Sequence, residues 1–179
     1  MLTGKAFVIA AGFLLGGSIF ALSLNWRGVS WFFLKRKIRL AFPTVETIGV
    51  TELAEWLAEP ARPQPLILDT RTLQEYQISH LPQAQWLDPD KSTVSGENYA
   101  AIVVYCSVGY RSAQVAQTLQ GQGVTLPVYN LEGSIFAWVA TEHPVFQGEQ
   151  VVQAVHPFNE TWGRFLPVRW HPTHWEPIR

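Results

Sequence analysis

The residue of this 179-residue chain with the clearest capacity for chemistry is its single cysteine, Cys106. It follows an uninterrupted apolar run, 101–105, and a six-residue loop separates that run from a helix predicted over 112–120. The amides of such a loop and the N-terminus of the helix favour an anion at the cysteine sulfur, and a nearby arginine lowers the thiol pKa below about 8.5. We therefore predict a catalytic Cys106 and a substrate-binding loop of Ser107, Val108, Gly109, Tyr110 and Arg111.

A buried cysteine that merely ends a strand is the alternative interpretation. Two neighbours favour a reactive thiol instead: Gly109 permits a tight concave loop, and Arg111 supplies a positive charge. Tyr110 either gates the pocket or only covers it. A single cysteine excludes an intramolecular disulfide, and nothing indicates an oxidising compartment.

Three further residues are predicted to support the site: Asp69, Arg71 and His80. Asp69 ends the apolar run 66–69, and in an open α/β sheet the carboxyl ends of the strands meet at one edge, so Asp69 and Cys106 should share that edge. Asp69 and Arg71 either act directly or, as we favour, brace the edge as an ion pair. His80 is a possible proton donor, although packing and hydrogen bonding under the loop is the favoured role.

The elements that position these residues alternate between short apolar runs and helical segments from about residue 44 onward. Strands are predicted at 48–50, 66–69, 101–105 and 128–130, and helices begin near Thr51, Thr72, Ser112 and Ser134. Thr72 and Glu75 have the spacing of a capping box. Such alternation predicts an α/β fold with an open, mainly parallel sheet flanked by helices.

The loop Cys106-x-x-Gly109-x-Arg111-Ser112 resembles the active loop of the rhodanese (sulfurtransferase) family. Residues 66–71 with Glu75-Tyr76 resemble the family's L-D-x-R…E-Y element, 80–84 its G-H-I-P-G-A motif, and 131–138 its L-x-G-G-x-x-x-W motif. Three positions depart from the family, which usually has glycine there: Ser79, Gln83 and Ser134. The motifs stand in the order and spacing of one rhodanese-like domain, predicted over 44–149.

The resemblance implies a sulfurtransferase without metal or organic cofactor. In that family's mechanism the thiolate, here Cys106, takes a sulfane sulfur from thiosulfate or a persulfide and passes it to a thiol or to cyanide. Related phosphatases and arsenate reductases of this fold use a Cys-x5-Arg loop that admits an oxyanion. The loop here is Cys-x4-Arg, and the shorter ring suits a single sulfur atom.

The N-terminal part of the chain has a composition of its own. Hydrophobic residues make up 47% of the sequence and charged ones 15%, which excludes a disordered chain. Residues 1–40 carry six cations and no acid, whereas the rest of the chain carries a net charge of −7. This asymmetry favours a membrane surface over nucleic acid as the partner.

Residues 6–26 are 21 positions without a charge, enough for a helix of about 31 Å that crosses a bilayer. Aromatic and cationic residues follow at 31–39, as in an interfacial belt and a lipid-binding cluster. The excess of cations after the span predicts a single-pass membrane protein with its catalytic domain on the cytoplasmic side. A cleaved signal peptide, with Ala21-Leu22-Ser23 as its site, is the competing interpretation, but the apolar run is long for one.

Residues 150–179 lie outside the resemblance and hold three tryptophans and four prolines. We predict an extended arm that packs on the domain, on a membrane or on a partner protein.

The predicted domains are thus an anchor over 1–43, the rhodanese-like domain over 44–149, and this extension. The alternative function is a membrane docking module whose tail binds a protein. His171 and His174 lack a third ligand, so no metal site is predicted.

Overall fold

A computed structural model describes residues 28–90 and 98–178, and in these residues five strands form an all-parallel sheet. Its order is β1-β5-β4-β2-β3. The strands are β1 (Glu46–Ile48), β2 (Leu66–Asp69), β3 (Gln85–Trp86), β4 (Ile102–Tyr105) and β5 (Val128–Leu131). The predicted open parallel α/β sheet is confirmed.

In the described residues, helices lie before, between and after these strands in the chain. They are α1 (28–41), α2 (Val50–Leu57), α3 (Leu73–Ile78), α4 (Tyr110–Gly121), α5 (Ser134–Ala140) and the short α6 (Glu160–Gly163). A 3-10 turn spans Val168–Trp170, and an antiparallel hairpin joins β6 (Val145–Gln147) to β7 (Gln150–Val152). The capping box of Thr72 and Glu75 is present at the start of α3, as predicted.

The predicted strand at 48–50 was wrong by two residues. Pairing of β1 with β5 ends where Ile48 meets Leu131, and α2 begins at Val50 with Gly49 as its N-cap. Thr51 therefore lies inside the helix rather than at its cap. The strand is set by its long-range register with β5, which a local pattern does not contain.

All four residues of β4 are buried, and their side chains alternate between two cores. Val103 and Tyr105 belong to the core covered by α2 and α5, whereas Ile102 and Val104 face the core covered by α4. Burial of each such aliphatic side chain contributes about 1.5–3 kcal/mol. The strand that ends at the candidate nucleophile is therefore held firmly on both faces.

The strand register confirms that two predicted site residues leave the sheet at the same edge. β2 and β4 are neighbours, and Asp69 pairs with Tyr105, the residue before Cys106. The carboxyl ends of both strands thus open onto one edge, where ligands bind in sheets of this kind.

Helix α1 packs on the body of the protein. Ile38 and Phe42 are buried against Ala113 of α4, and Lys35 and Arg39 both pair with Glu132. Part of the predicted lipid-facing cluster is therefore used inside the protein, while Phe32 and Phe33 are 62% and 61% exposed.

The predicted span 6–26 lies outside the described residues. Over 28–90 and 98–178, the structure contains no helix with the length and apolarity needed to span a bilayer.

The tail packs on the domain, one of the three alternatives that the sequence left open. Val155, Leu166 and Trp170 are buried in the same core as α2 and α5. His156 is also buried, and its Nδ1 accepts the Phe158 N–H while its Nε2 lies 3.0 Å from the Glu176 carbonyl. This arrangement needs a neutral imidazole, and burial lowers the pKa of His156 accordingly.

Candidate active site

The loop after β4 folds back on the sulfur of Cys106. Cys106 is 1% exposed, and Gly109 donates its backbone N–H to Sγ at 3.1 Å. Gly109 has φ of 108°, a conformation that residues with a side chain rarely adopt, so this turn of the loop favours glycine. Helix α4 starts at the next residue, Tyr110, so its N-terminus also faces the loop.

The pKa of the Cys106 thiol is set by opposing effects. Burial alone raises it, but the positive charge of Arg111 and hydrogen bonds from Ser112 and the Gly109 amide outweigh burial. The pKa is therefore held below its ordinary value, in the direction the sequence predicted. A lowered pKa increases the thiolate fraction, which is the nucleophilic form.

Asn130 of β5 and Ser134 at the start of α5 hold the loop in place through hydrogen bonds. Asn130 Nδ2 donates to the Gly109 carbonyl at 2.9 Å, and its Oδ1 accepts the Ser112 hydroxyl at 2.7 Å. Ser134 Oγ accepts the Cys106 backbone N–H at 3.1 Å and lies 3.2 Å from the Leu131 carbonyl, to which it donates. The backbone of the nucleophile is thus fixed by a serine at a position where the resemblance expects glycine.

The departures from the family pattern differ in their backbone conformation. Ser134 and Gln83 have φ of 52° and 58°, in the left-handed region that favours glycine. Ser79 has φ of −169°, an extended conformation that any residue adopts. Only the first two positions therefore have a conformational reason for glycine, and at Ser134 the hydroxyl contacts offset the strain.

Glu75 connects α3 to the loop through hydrogen bonds to both of its carboxylate oxygens. Its oxygens accept two bonds from the Arg111 guanidinium, at 2.8 and 2.9 Å, and one from Ser107 Oγ at 3.1 Å. Thr72 adds its N–H and hydroxyl through the capping box. Glu75 therefore fixes the direction of Arg111, which also donates to Ser107 Oγ at 3.0 Å.

The pKa of Glu75 predicts a loss of stability in acid. Burial would raise it, but the bonds and charges of Arg111 and Arg71 lower it to about 2 from 4.5. Since the folded pKa is below the unfolded one, the stabilisation is complete above pH 4.5 and is lost as the pH falls toward 2, by about 3 kcal/mol.

Urea unfolding at about pH 5 and about pH 2 measures this loss. Glu75→Gln should remove most of this pH dependence, whereas Glu55→Gln, at an exposed position of α2, should keep it. An unchanged pH dependence in Glu75→Gln would contradict the assignment.

Asp69 and Arg71 form a fully buried ion pair below the edge of the sheet. Arg71 Nη2 donates to Asp69 Oδ2 at 2.7 Å, and Tyr105 donates its hydroxyl to the same oxygen at 2.6 Å. Arg71 Nη2 also donates to the Ser79 carbonyl, which ties β2 to the end of α3. These contacts fit the bracing role, and the supporting role of both residues stays a prediction.

His80 and Tyr110 have positions of their own. The His80 ring is buried and stacks on Tyr76 at 4.4 Å, with Nδ1 2.9 Å from the Leu81 carbonyl. Tyr110 is 39% exposed and meets the Phe42 ring edge-on at 5.3 Å. The His80 ring is thus held by packing and hydrogen bonding, whereas Tyr110 lines the cavity beside Cys106.

A cavity of about 300 Å³ opens beside the sulfur of Cys106. The loop forms its floor through Cys106, Ser107, Val108, Tyr110 and Arg111, and the remaining walls come from α1 and the tail. A larger cavity of about 730 Å³ lies between α1 and the tail and contains none of the loop residues, so the smaller one is the candidate active site. Within 28–90 and 98–178, no group of three or more metal-ligating side chains is present.

Sequence reasoning missed several residues that shape this site. Glu75 was predicted as a capping residue and as part of a family-like motif, but not as the partner of Arg111, 36 positions away. The roles of Ser134 and Asn130 had no local signal beyond the closing motif. Phe158 and Trp162, in the cavity wall, could have been suspected only from the aromatic content of the tail.

Comparison with known proteins identifies what the chain resembles. The family model for the rhodanese-like domain matches residues 50–141. A search of curated proteins gives no match. Among solved structures, thiosulfate sulfurtransferase from Pseudomonas aeruginosa is 28% identical with a TM-score of 0.52, over 61% of this chain and 21% of that one. A Rhodopseudomonas palustris protein of unknown function, described as a possible tyrosine phosphatase, is 25% identical with a TM-score of 0.51, over 63% and 93%.

Proposed function

The chain belongs to the rhodanese-like domain family, and on this basis we propose that it is a sulfurtransferase that carries a sulfane sulfur as a persulfide on Cys106. One observation carries the proposal: a buried thiol of lowered pKa receives the Gly109 N–H inside a Cys-x4-Arg loop. The similarity to the Pseudomonas thiosulfate sulfurtransferase supports it, although this chain spans only a fifth of that enzyme.

The first half-reaction loads the cysteine. The Cys106 thiolate attacks the outer sulfur of thiosulfate, an S–S bond forms to Sγ, and the S–S bond of the donor breaks. The electron pair of the broken bond leaves with sulfite. Thiolate and thiosulfate thus give a persulfide anion and sulfite, with atoms and charge balanced.

The second half-reaction unloads it. An acceptor thiolate or cyanide attacks the outer sulfur, and Cys106 leaves as a thiolate. Between the two steps the loop stabilises the persulfide anion through preorganised N–H groups, which cost no reorganisation during the reaction. Glu75 maintains this geometry by holding Arg111 and Ser107 in place.

Mass spectrometry tests the proposal directly. Incubation of the purified protein with thiosulfate should add about 32 Da to the peptide that contains Cys106, and cyanide should then remove it. Free sulfite should be released in equal amount. Absence of both the adduct and sulfite would overturn the assignment.

Phosphate-ester hydrolysis is the second candidate, favoured by the description of the Rhodopseudomonas protein. Two features argue against it. The loop has four residues between Cys106 and Arg111, and Arg111 directs both outer nitrogens to Glu75, which leaves fewer N–H groups for an oxyanion. We expect no hydrolysis of aryl phosphates, and hydrolysis without thiosulfate turnover would favour the phosphatase.

We also propose that residues 6–26 anchor the protein in a membrane with the domain on the cytoplasmic side. The uncharged length of that segment supports this, as do the exposed Phe32 and Phe33 of α1. The docking alternative has less support, since the tail buries Val155, Leu166 and Trp170 in its own domain.

The full chain is expected to stay with membranes after high-salt and carbonate washing, because about 20 apolar residues are not held by charge. Immunoblotting of the pellet and supernatant measures this. A variant that lacks residues 6–26 serves as the control and should be released. Release of the full chain would contradict the anchor, and digestion of the domain by protease added to sealed right-side-out vesicles would reverse the orientation.

A further inference from the structure

The walls of the Cys106 cavity come from outside the segment that defines the family. The family match covers 50–141, whereas α1 precedes it and the tail follows it. Four side chains from these flanking parts line the cavity: Leu34, Lys37, Phe158 and Trp162. Three of the four are apolar. The choice of substrate therefore depends on residues that the family pattern does not specify.

Phe158 is held over the loop in a strained conformation. Its φ of 68° is left-handed, which is rare for an aromatic residue. Its N–H donates to His156 Nδ1 at 2.9 Å, and its carbonyl accepts the Ile178 N–H at 2.8 Å. Strain of this kind persists only where the surroundings enforce it, and it is common at binding sites.

The Phe158 ring also covers the charge of the loop. The guanidinium of Arg111 lies 4.6 Å from the centre of the ring. Both outer nitrogens of that guanidinium are bonded to the Glu75 carboxylate, so its charge is largely compensated. The inner cavity thus offers a small inorganic dianion less attraction than a free arginine would, and it offers an aromatic surface instead.

Trp162 packs within the tail, beside a contact between the tail and α1. Its ring packs on Phe165 at 6.1 Å, and Phe165 meets Trp31 of α1 edge-on at 5.0 Å. The backbone N–H of Trp162 donates to Oδ1 of Asn159, the N-cap of α6, at 3.1 Å, which fixes the main chain that carries the ring. The aromatic wall is therefore a preformed surface, which binds an apolar group without the cost of ordering side chains.

From this geometry we infer that the cavity selects an organic sulfane-sulfur donor, one whose transferable sulfur is attached to an apolar aryl or alkyl group. The inference rests on the proposed function. Thiosulfate and benzenethiosulfonate form a suitable pair of probes, because both carry a sulfane sulfur on an oxidised sulfur atom. In benzenethiosulfonate a phenyl ring takes the place of one oxygen of thiosulfate. The Cys106 thiolate displaces benzenesulfinate, which leaves with the electron pair of the broken S–S bond, and the same persulfide forms.

The experiment compares kcat/KM for the two donors, with the full chain and cyanide as the acceptor. The wild type should prefer benzenethiosulfonate by about tenfold or more, as expected for burial of a phenyl ring. Phe158→Ala and Trp162→Ala should each lower the preference about tenfold or abolish it, mainly through the aryl donor. Phe33→Ala removes an exposed phenylalanine of α1 and should leave the preference unchanged.

The outcomes distinguish a failure of sulfur transfer from a failure of donor selectivity. If neither donor adds about 32 Da to Cys106, the proposed function fails. If both donors load Cys106 but the wild type shows no preference between them, the inferred selectivity is wrong and the proposed function stands. The same holds if Phe158→Ala and Trp162→Ala both keep the wild-type preference for benzenethiosulfonate. Alkylation of Cys106 at its wild-type rate shows that a variant still has a formed loop.

Discussion

Replacing Cys106 with serine is expected to abolish sulfur transfer from thiosulfate, with a loss of about 10⁴-fold or more. A serine hydroxyl is not ionised at neutral pH and cannot carry a persulfide. The substitution is nearly isosteric in a position that is 1% exposed, and the serine oxygen can still accept the Gly109 N–H. The loss should therefore be one of chemistry and not of folding.

Steady-state release of sulfite measures the loss of activity, and a thermal unfolding curve shows whether the variant is still folded. Because Cys106 is the single cysteine, the variant contains no thiol, and labelling with a thiol reagent supplies an absolute blank. A variant that keeps more than a tenth of the activity would show that the sulfur travels by a route without Cys106.

Arg111→Ala is expected to lower kcat/KM for thiosulfate about 10²–10³-fold. The substitution removes the charge that most lowers the pKa of the Cys106 thiol, and it leaves the buried Glu75 carboxylate without its bidentate partner. The thiol pKa should therefore rise, which the pH dependence of Cys106 alkylation measures. Arg164→Ala, at an exposed position of the tail, is the matched control and should behave like the wild type.

A double variant separates the two effects of Arg111. Adding Glu75→Gln removes the unpaired carboxylate, so stability and part of the alkylation rate should return. Turnover should stay low, because the loop still lacks its cation and its anchored geometry. Full recovery of turnover would mean that Arg111 serves only to neutralise Glu75.

Local patterns in the sequence were sufficient for the central strands and for the edge that carries the site. The apolar runs ending at Asp69 and at Cys106 became neighbouring strands, and Thr72 with Glu75 formed the predicted cap. Each of these depends on a few adjacent residues or on a general property of parallel sheets.

The features that escaped prediction depend on contacts between distant parts of the chain. Glu75 meets Arg111 only after α3 and α4 have been placed by the sheet, and β1 ends at Ile48 because β5 ends beside it. Phe158 reaches the loop through a backbone conformation that its residue type disfavours. Propensity and periodicity do not contain such information, since tertiary packing decides it.

The origin of the cavity walls has a consequence for the order in which the molecule is made. The sheet and the loop lie between residues 46 and 131, so they can assemble while the ribosome is still adding the tail. Leu34 precedes the loop in the chain, but Phe158 and Trp162 follow it, so the pocket around Cys106 closes only after the tail has been added. A nascent chain thus holds its nucleophile uncovered on one side until the tail has been added, and the aromatic wall of the cavity forms later than the loop that it covers.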